Sequence, residues 1–505
     1  MLARIISCAI TGLEGVRIDV EVDVASRGFP SFTIVGLPNK SVDESKERVR
    51  TAIINTSFDM PDSRITVNLA PADIPKEGSR FDLPIAVGIL RASGLLAAKS
   101  FDRALFAGEL SLEGGLRGVS GVISIAMMAH TSAIESLYVP VENAAEASLV
   151  EDITVYPVVS LQQLVLHLNG QSPIAPYEPP PKLPTQSRSV EVDFAHIHGQ
   201  YQAKRAMEIA AAGLHNVHMK GVPGAGKTML SRAFTSILPT LSRHEMLEVT
   251  RVYSVGGHNR LGEHMYARPF RAPHHTTSRV GLIGGGSHPT PGEISLAHRG
   301  VLFLDEFPEF PRSVLESLRQ PLEDGIVTVA RAAGSVTFPA RFLLVAASNP
   351  CPCGYLGHPK KPCTCMAGAV LRYKKRLSGP ILDRIDLHVD VAPVEHEALI
   401  ATRPDGESSE VIANRVNEAL AAQSKRYAKT KYVSNSDLSS RDVKIYCPLE
   451  PDAQALMKDA ITRLNLSARA YFKVVKVART IADLEGKADI ETAHVAEALQ
   501  YRAKE

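Results

Sequence analysis

Eight consecutive residues carry the clearest chemical signal in this chain. They follow the pattern G-x-x-x-x-G-K-T and read Gly221-Val222-Pro223-Gly224-Ala225-Gly226-Lys227-Thr228. Glycines at these places let the backbone curl so that its N–H groups point at phosphate oxygens. Lys227 can then reach the β- and γ-phosphates, and the Thr228 hydroxyl can hold Mg²⁺. A strand-like stretch precedes the loop and a helix-like stretch follows it, which is the context that a nucleoside triphosphate site requires.

A second set of polar residues follows two apolar runs further along the chain. Residues 301–304 (VLFL) predict a buried strand, and Asp305 and Glu306 come directly after it. In open α/β sheets, ligands bind at the carboxyl ends of the strands. We therefore expect Asp305 to steer Mg²⁺ and Glu306 to polarise the attacking water as general base. Asn349 follows the next apolar run, 342–347, and is expected either to orient that water or to serve only as a turn residue.

Four cysteines form a candidate metal site. Cys351 and Cys353 are followed, after nine residues, by Cys363 and Cys365. Four thiolates this close together can close a tetrahedral shell around Zn²⁺, although each C-x-C pair is tighter than the common C-x-x-C and His358 could replace one ligand. Reduced free cysteines and redox or iron–sulfur chemistry are the alternatives.

Basic residues are concentrated in two stretches, although the whole chain has a net charge of only +2. Residues 351–384 contain seven basic residues and one acidic residue, and residues 463–479 contain five basic residues and no acidic one. Such a face would bind a phosphodiester backbone without sequence preference and would release it at high salt. A solvated basic face, or arginines used between subunits, would give the same pattern. The candidates for DNA contact in the first stretch are Lys360, Lys361, Lys374, Lys375 and Arg376.

The length and composition predict a multidomain α/β protein. The chain has 505 residues, of which 45% are hydrophobic and 22% are charged, and this composition excludes wholesale disorder. It has only six cysteines, which excludes a secreted disulfide framework. Its apolar runs are too short to span a bilayer and its N-terminus lacks the features of a signal peptide, so we expect a cytoplasmic protein without membrane contact. We predict an α/β domain at 1–170, a Pro-rich linker at 171–190, a core with a mostly parallel sheet flanked by helices at 191–393, and a helical lid domain at 394–505.

Beyond these local signals, long stretches resemble a known family. The chain resembles AAA+ ATPases, within them the clade shared by magnesium-chelatase motor subunits and minichromosome-maintenance helicases, and within that clade the ComM family of magnesium-chelatase-like competence proteins. The resemblance covers essentially the full chain and rests on FRAPHHTTS at 270–278, PTPGEISLAHRGVLFLDE at 289–306, VARAAGSVTFPARFLLVAASNPCPCG at 329–354, SGPILDRIDLHV at 378–389 and LSARAYFKVVKVARTIADLEG at 466–486.

The resemblance implies roles for three further residues. Arg384 in LDRID resembles the arginine finger that completes the site of a neighbouring subunit, Arg469 in SARAY resembles the second sensor arginine of the lid, and Gln200 lies where such proteins often line the adenine pocket. A planar, permanently charged guanidinium suits the charge that develops on a transferred phosphoryl group. An ion pair of Arg384 with Asp383 or Asp386 is the alternative. A finger that acts on a neighbour implies a ring, and the expected assembly is a homo-hexamer.

Two insertions are typical of this clade. Residues 270–298 interrupt the second helix of the core, and residues 326–340 alternate around a central turn, which predicts a β-hairpin. In the helicase relatives both insertions project into the central channel. The resemblance therefore makes Arg331, His274 and His275 candidates for DNA contact. A structural turn is the alternative for the histidines, and a metal site is less expected because no third ligand stands at a telling spacing.

The N-terminal domain resembles the Lon-protease fold through residues 76–86 and 107–109. Lon proteases need a nucleophilic serine and a lysine. Ser79 is present, but the region expected to supply the lysine, 121–124, reads GVIS and has no amine. Without a positioned base Ser79 is not activated, so we expect a non-catalytic domain for assembly or DNA handling.

Together with the phosphate-binding loop, the resemblance implies a ring motor that uses ATP and Mg²⁺ to move along DNA. Its expected activity is that of a helicase or branch-migration enzyme that aids homologous recombination of incoming DNA in natural transformation. A magnesium-chelatase motor subunit, which would use the same ATPase residues, is one alternative. A protein remodeller is the other.

Overall fold

The computed structural model describes residues 1–25, 29–96, 102–179, 192–257, 266–286, 289–331, 334–393 and 406–503. Most of the linker predicted at 171–190, the turn of the hairpin predicted at 326–340 and the start of the lid predicted at 394–505 lie outside these residues.

The described residues form mixed α/β structure followed by helices. The strands are β1 (Leu2–Thr11), β2 (Glu14–Val24), β3 (Ser31–Val35), β4 (Arg64–Ala70), β5 (Ala104–Phe106), β6 (Glu109–Leu110), β7 (Leu116–Arg117), β8 (Ser136–Pro140), β9 (Thr154–Val158), β10 (Val217–Gly221), β11 (Phe270–Arg271), β12 (Gly284–Gly285), β13 (Thr290–Pro291), β14 (Val301–Leu304), β15 (Ile326–Arg331), β16 (Gly334–Pro339), β17 (Leu343–Ser348) and β18 (Leu387–Val391). The α-helices are α1 (Lys40–Asp43), α2 (Ser45–Asn55), α3 (Asp82–Ala92), α4 (Val122–Thr131), α5 (Val141–Ala147), α6 (Leu161–Leu168), α7 (Tyr201–Gly213), α8 (Lys227–Ile237), α9 (Arg243–Val255), α10 (Arg279–Ile283), α11 (Glu293–Leu296), α12 (Arg312–Glu316), α13 (Arg319–Asp324), α14 (Ala367–Lys374), α15 (Gly379–Leu382), α16 (Ser409–Tyr427), α17 (Ser440–Tyr446), α18 (Pro451–Leu464), α19 (Ala468–Leu484) and α20 (Thr492–Gln500).

The chain divides into two compact units, and the division differs from the predicted one. The first unit comprises Met1–Thr185 together with Arg243–Met265, and the second comprises Gln186–Ser242 together with Tyr266–Glu505. The core predicted at 191–393 includes residues 243–265. Hydrogen bonds of α9 explain its place in the first unit. Ser254 Oγ accepts from the Gly121 backbone N–H at 2.8 Å and donates to Glu146, whose carboxylate also accepts from the backbone of α4.

The first unit is built on a seven-stranded mixed sheet in the order β3-β4-β2-β1-β5-β8-β9. Strands β1, β2 and β4 are antiparallel neighbours, and the remaining pairs are parallel. Helix α3 is buried along nearly its whole length and packs on β1 and β2. Gly88 of α3 makes this approach possible, since a Cβ there would lie 2.5 Å from Val22 Cγ2. The apolar alternation of β2, with Ile18, Val20 and Val22 fully buried, supplies the other side of this core.

The second unit is built on a five-stranded sheet in the order β11-β14-β17-β10-β18, and all its neighbouring strands are parallel. Val217 and Met219 of β10 are fully buried and belong to the same core as Leu230 and Phe234 of α8. Parallel strands bring their carboxyl ends to one edge of the sheet. The residues that follow β10, β14 and β17 therefore meet at that edge.

Among the C-terminal helices α16 to α20, a buried charged cluster around Asp483 of α19 joins α16 to α19. Asp483 Oδ1 accepts from Arg426 Nη2 at 2.5 Å and from Arg479 Nε at 3.1 Å, while Asn435 Nδ2 donates to Asp483 Oδ2 at 2.9 Å. Arg479 is 1% exposed and also donates to the backbone carbonyl of Ala488 at 2.6 Å. A buried charge needs partners of this kind, since its desolvation is otherwise uncompensated.

Local capping differs from the prediction near residue 40. The sequence Ser41-x-x-Glu44 predicts a capping box. In the structure Asn39 is the N-cap of α1, because its side chain accepts from the Val42 backbone N–H at 3.0 Å, and a second helix begins at Ser45. None of the helices in the described ranges is long and apolar enough to cross a membrane.

We predict that Asp483→Asn destabilises the C-terminal helices by about 3–5 kcal/mol, because it leaves two arginines without their carboxylate partner. Native-state hydrogen exchange of the amides in α16 to α20 measures this change. Asp489→Asn is the matched control, since Asp489 is exposed and the same loss of charge there is expected to change stability by less than about 0.5 kcal/mol. Equal protection in the two variants would contradict the structural role of Asp483.

Candidate nucleotide-binding site

The loop at 221–228 joins the end of β10 to the start of α8. Gly224 and Gly226 have φ angles of +77° and +89°, a region that favours glycine. Gly221 is required for a different reason, since a Cβ there would collide with the carbonyl oxygen of Val391 on β18. Helix α8 begins at Lys227, so its first backbone N–H groups and the positive end of its dipole face the loop.

Lys227 lies folded into the loop. Its Nζ donates to the carbonyl oxygens of Gly221 at 2.6 Å and Val222 at 3.0 Å, and to Asn349 Oδ1 at 3.2 Å. Burial lowers the pKa of this ammonium, while Asp305 and Glu306 act in the opposite direction. The loop lysine and the side-chain amide of Asn349, directly after β17, are thus already in contact at the carboxyl edge of the sheet.

Two oxygen donors suited to a divalent cation also meet at this edge. Thr228 Oγ1 lies 3.2 Å from Asp305 Oδ2, and Asp305 Oδ1 accepts from the Glu306 backbone N–H at 2.8 Å. Mg²⁺ binds hydroxyl and carboxylate oxygens together with phosphate oxygens. The pair Thr228 and Asp305 therefore fits the magnesium ion that accompanies a nucleoside triphosphate.

Glu306 has a partner that the sequence did not indicate. Its Oε2 lies 2.9 Å from His275 Nδ1, and its backbone has a φ angle of +50°, unusual for a residue with a side chain. His275 is half-buried and His274 is exposed, with their rings 4.1 Å apart. The resemblance makes both histidines candidates for DNA contact, with a structural turn as the alternative. The structure places His275 against the carboxylate that would activate water.

Gln200 links the loop to the neighbouring strand. Its Nε2 donates to the carbonyl oxygen of Ala225 in the loop at 3.1 Å and to that of Ala392, directly after β18, at 2.6 Å. The side chain expected to line the adenine pocket therefore lies beside the phosphate loop, at the N-terminus of α7.

Arg384 lies at the opposite edge of the sheet. It precedes β18, and its carbonyl oxygen accepts from Asn216 Nδ2 at 3.2 Å, where Asn216 precedes β10. The guanidinium of Arg384 donates to Pro380 O and forms an ion pair with Glu323. This partner replaces the alternatives Asp383 and Asp386 that the sequence offered.

Arg469 meets the same carboxylate. Its Nη2 lies 3.4 Å from Glu323 Oε1, the oxygen that also accepts from Arg384. The structure therefore brings the two predicted arginines together on Glu323 of α13. No sequence motif marked Glu323, which is one exposed acid on a short helix.

The four cysteines converge on one point. The Sγ of Cys351 lies 3.4 Å from that of Cys353 and 3.6 Å from that of Cys363, and the ligand atoms of all four lie within 4.8 Å of one another. A tetrahedral zinc shell with Zn–S bonds of about 2.3 Å places its sulfurs about 3.8 Å apart, so the donor set fits Zn²⁺. His358 is not needed, because its Nδ1 accepts from the backbone N–H groups of Lys360 and Lys361 at 3.0 Å.

The surroundings of these thiols give them different pKa values. Backbone N–H groups of Tyr355 and Thr364 stabilise the thiolate of Cys353 and lower its pKa to about 5. The Cys365 backbone acts in the same sense on Cys363, but burial and the neighbouring sulfurs outweigh it and raise the pKa of Cys363 to about 12. A bound cation would stabilise all four thiolates together.

The predicted DNA contacts lie largely on the surface. Arg376 forms an ion pair with Glu309, and Lys361 Nζ lies 5.2 Å from the centre of the Tyr355 ring. The backbone of Arg331 ends β15, but its side chain lies outside the described part of the structure. The exposed candidates are Lys360, Lys361, Lys374, Lys375 and Arg376.

In the first unit, Ser79 donates its hydroxyl hydrogen to the carboxylate of Glu109. The buried Lys76, three residues earlier, donates to the carbonyl oxygen of Pro71. At the position expected for a catalytic lysine, Ser124 Oγ donates to Leu13 O at 2.6 Å. These contacts agree with a serine that no amine activates.

Comparisons with known proteins cover nearly the whole chain. Three family models match: magnesium chelatase, subunit ChlI, at residues 193–399; subunit ChlI of Mg-chelatase at residues 20–143; and the C-terminal part of subunit ChlI at residues 406–502. The competence protein ComM of Haemophilus influenzae is 46% identical over 506 residues, which cover 99% of this chain and 97% of that protein. The protein YifB of Salmonella typhimurium is 42% identical over 503 residues, covering 99% and 97%. The magnesium-chelatase 67 kDa subunit of Chlorobaculum parvum is 30% identical over 163 residues, 32% of this chain and 23% of that protein.

We predict that Lys227→Ala weakens binding of a nucleoside triphosphate about tenfold or more, since it removes a charge-assisted contact to phosphate. Titration with a fluorescent ATP analogue measures the affinity. Lys220→Ala is the matched control, because Lys220 precedes the loop by one residue and lines a cavity with Tyr373 and His388. Unchanged affinity in Lys227→Ala would rule out the loop as the phosphate site.

Proposed function

The chain belongs to the ComM family of magnesium-chelatase-like AAA+ ATPases, and we propose that it is a ring-shaped motor that uses ATP to move DNA. The observation that carries this proposal is the separation of the loop at 221–228 from Arg384, which lie at opposite edges of one parallel sheet. An ATPase site that needs both must be completed by another copy of the chain.

The geometry of β10 gives the size of this separation. Asn216, beside Arg384, stands at the start of the strand, and Gly221 stands at its end. Five residues of a strand span about 16 Å, which is farther than an arginine side chain reaches. Arg384 would therefore act on the triphosphate of a neighbour. Arg469, which shares Glu323 with Arg384, would act on that same triphosphate.

A contact in which one surface of a subunit binds a different surface of the next subunit is heterologous, and it forms a ring when the rotation between neighbours closes. A homo-hexamer is the expected ring. Every subunit would then hold nucleotide with its own loop and complete the site of the next subunit with its arginines.

The residues divide the chemistry of hydrolysis among them. Glu306 would take a proton from the attacking water, and Asn349 would help to orient that water. Lys227 would hold the β- and γ-phosphates, and the two arginines of the neighbour would stabilise the charge that develops on the transferred phosphoryl group. Mg²⁺ held by Thr228 and Asp305 would neutralise phosphate charge.

DNA is proposed as the polymer that the ring moves. The support is the exposed basic surface at 360–376 and the hairpin β15–β16, whose strands pair from Ile326 and Pro339 to Arg331 and Gly334. These groups suit a phosphate backbone and offer no base-reading arrangement, so binding would be independent of sequence and sensitive to salt. The relative in Haemophilus influenzae is named as a competence protein, which supports a role in competence. We propose that this role is branch migration or strand separation, in the cytoplasm, during recombination of incoming DNA.

A magnesium-chelatase motor is the second candidate, favoured by the match to the ChlI family models. The two candidates use the same ATPase residues. They differ in their response to DNA, because only a DNA motor should hydrolyse ATP faster when DNA is added.

We also propose that Cys351, Cys353, Cys363 and Cys365 bind a structural Zn²⁺ that braces the segment carrying Lys360 and Lys361. We predict about one zinc ion per purified chain and its loss in Cys353→Ser, as for other four-thiolate sites. Metal analysis, with the thiolate absorption bands of the Co²⁺-substituted protein, measures it. Cys447→Ser is the control, because Cys447 is buried elsewhere in the second unit. A wild-type protein without bound metal would contradict this assignment.

We predict that Lys227→Ala and Arg384→Ala each reduce DNA-stimulated ATP hydrolysis at least about 100-fold, yet regain activity when mixed. An equal mixture in one ring gives about a quarter of its interfaces both an intact loop and an intact arginine. The measurements are ATP turnover with and without forked DNA and displacement of a labelled strand.

Arg441→Ala is the matched control for loss of an exposed arginine, because Arg441 lies outside both basic stretches, and it should retain activity. A mixture as inactive as its components would disprove completion of the site by a neighbour. Turnover that DNA leaves unchanged would favour the chelatase candidate.

A further inference from the structure

One carboxylate oxygen serves both predicted arginines. Glu323 Oε1 accepts from Arg384 Nη2 and lies 3.4 Å from Arg469 Nη2. The two arginines come from distant parts of the chain, the segment before β18 and the first turn of α19. Two guanidinium groups this close repel each other unless an anion lies between them, and Glu323 is that anion.

Glu323 also stands beside the hairpin. It is the penultimate residue of α13, which ends at Asp324, and β15 begins at Ile326. Gly325, between them, has a φ angle of +67°, and a Cβ there would lie 2.8 Å from Arg341 Cγ. This one-residue turn joins the helix that carries Glu323 directly to the first residue of β15.

The contacts of Arg384 are incomplete. Its Nε is buried and has no acceptor among the described residues, while its other donors are used by Pro380 O and Glu323. A triphosphate carries several negative charges and many acceptor oxygens, so it competes well for a guanidinium held in this way. Glu323 and Arg469 are about half exposed, so solvent screens their pair and it can exchange readily.

We propose that Glu323 is a positioning residue that holds Arg384 and Arg469 until the triphosphate of the neighbouring copy takes them, and that this exchange is transmitted to the hairpin β15–β16. The inference rests on the proposed function, because it needs a neighbour that binds ATP. When the triphosphate is present the arginines leave Glu323, and α13 loses its tie to α19. When phosphate departs the arginines return, and the start of β15 is fixed again.

Glu323→Gln tests this inference, because it keeps the size of the side chain and removes its charge. Without the competing carboxylate the arginines reach the triphosphate more easily. The ATP concentration for half-maximal turnover should therefore fall about three- to tenfold, as expected for the loss of two partly exposed ion pairs. Turnover without DNA should persist, while stimulation by DNA and strand displacement per ATP should both decline. Loss of a merely structural contact would not increase the apparent affinity for ATP.

Asp324→Asn is the matched control, because Asp324 is the exposed next residue on the same helix and its change removes the same charge. Glu323→Asp keeps the charge but shortens the side chain, so it should lower the half-maximal ATP concentration less than Glu323→Gln does. Thermal unfolding shows whether each variant is folded. Should Glu323→Gln fail to fold, the charge-retaining Glu323→Asp must still show a smaller but measurable change in half-maximal ATP concentration in the same direction.

The outcomes separate the two levels of proposal. Wild-type protein without ATP turnover would overturn the proposed function itself. Active wild-type protein, inactive Lys227→Ala, and a Glu323→Gln variant that behaves like Asp324→Asn would leave the proposed function standing and overturn the role of Glu323.

Discussion

The common direction of the strands in the five-stranded sheet is the constraint on which the rest of the candidate site depends. All five strands are parallel, so residues that follow β10, β14 and β17 must lie at one edge, and residues that precede β18 must lie at the other. The phosphate loop, Asp305 and Asn349 take the first position and Arg384 takes the second. The separation of Arg384 from the phosphate loop is therefore a property of the topology, and no rearrangement of side chains within one chain removes it.

Charge balance within one chain follows the same division. At the phosphate edge the ammonium of Lys227 is surrounded by carbonyl and amide oxygens, and the carboxylate of Glu306 is paired with His275. At the opposite edge Glu323 pairs with two arginines, which leaves one positive charge uncompensated. Each half of the candidate site thus already has partners for its charged groups within the single chain. Nucleotide binding would replace these internal partners with phosphate oxygens, which is how ligand binding can alter structure beyond the pocket.

The parts that the sequence could predict are those with a local signature. The loop at 221–228 has a fixed spacing, the acidic pair ends an apolar strand, and the four cysteines lie within one short segment. Parallel topology then placed the first two at one edge. Contacts between distant residues had no such signature. Glu323 is a single acid on a short helix. His275 is a candidate for DNA contact only because its segment resembles an insertion that lines a channel.

Helix α9 shows a different limit of sequence reasoning. Its apolar positions suit any helix that packs on one face, so periodicity could not tell which core would receive them. The contacts of Ser254 with Gly121, directly before α4, and with Glu146 show that α9 belongs to the first unit, and these residues are distant in sequence. Near residue 40 the sequence offers two good N-caps, Asn39 and Ser41, which are two positions apart. The pattern alone could not tell which of them begins the helix, and the structure shows that it is Asn39.

The course of the backbone between the two units has a practical consequence. The chain leaves the first unit after Thr185, re-enters it at Arg243 and leaves it again after Met265, so three covalent crossings join the units. A protease that nicks the proline-rich segment would cut only the first of them, and the two fragments would then be held together by the noncovalent packing of α9 in the first unit. A truncated chain that starts at that segment would carry α9 without the scaffold on which it packs, leaving Val249, Val252 and Tyr253 to face water. Dissection of this protein into separate halves therefore calls for a short bridge in place of 243–265 in addition to a cut at the obvious boundary.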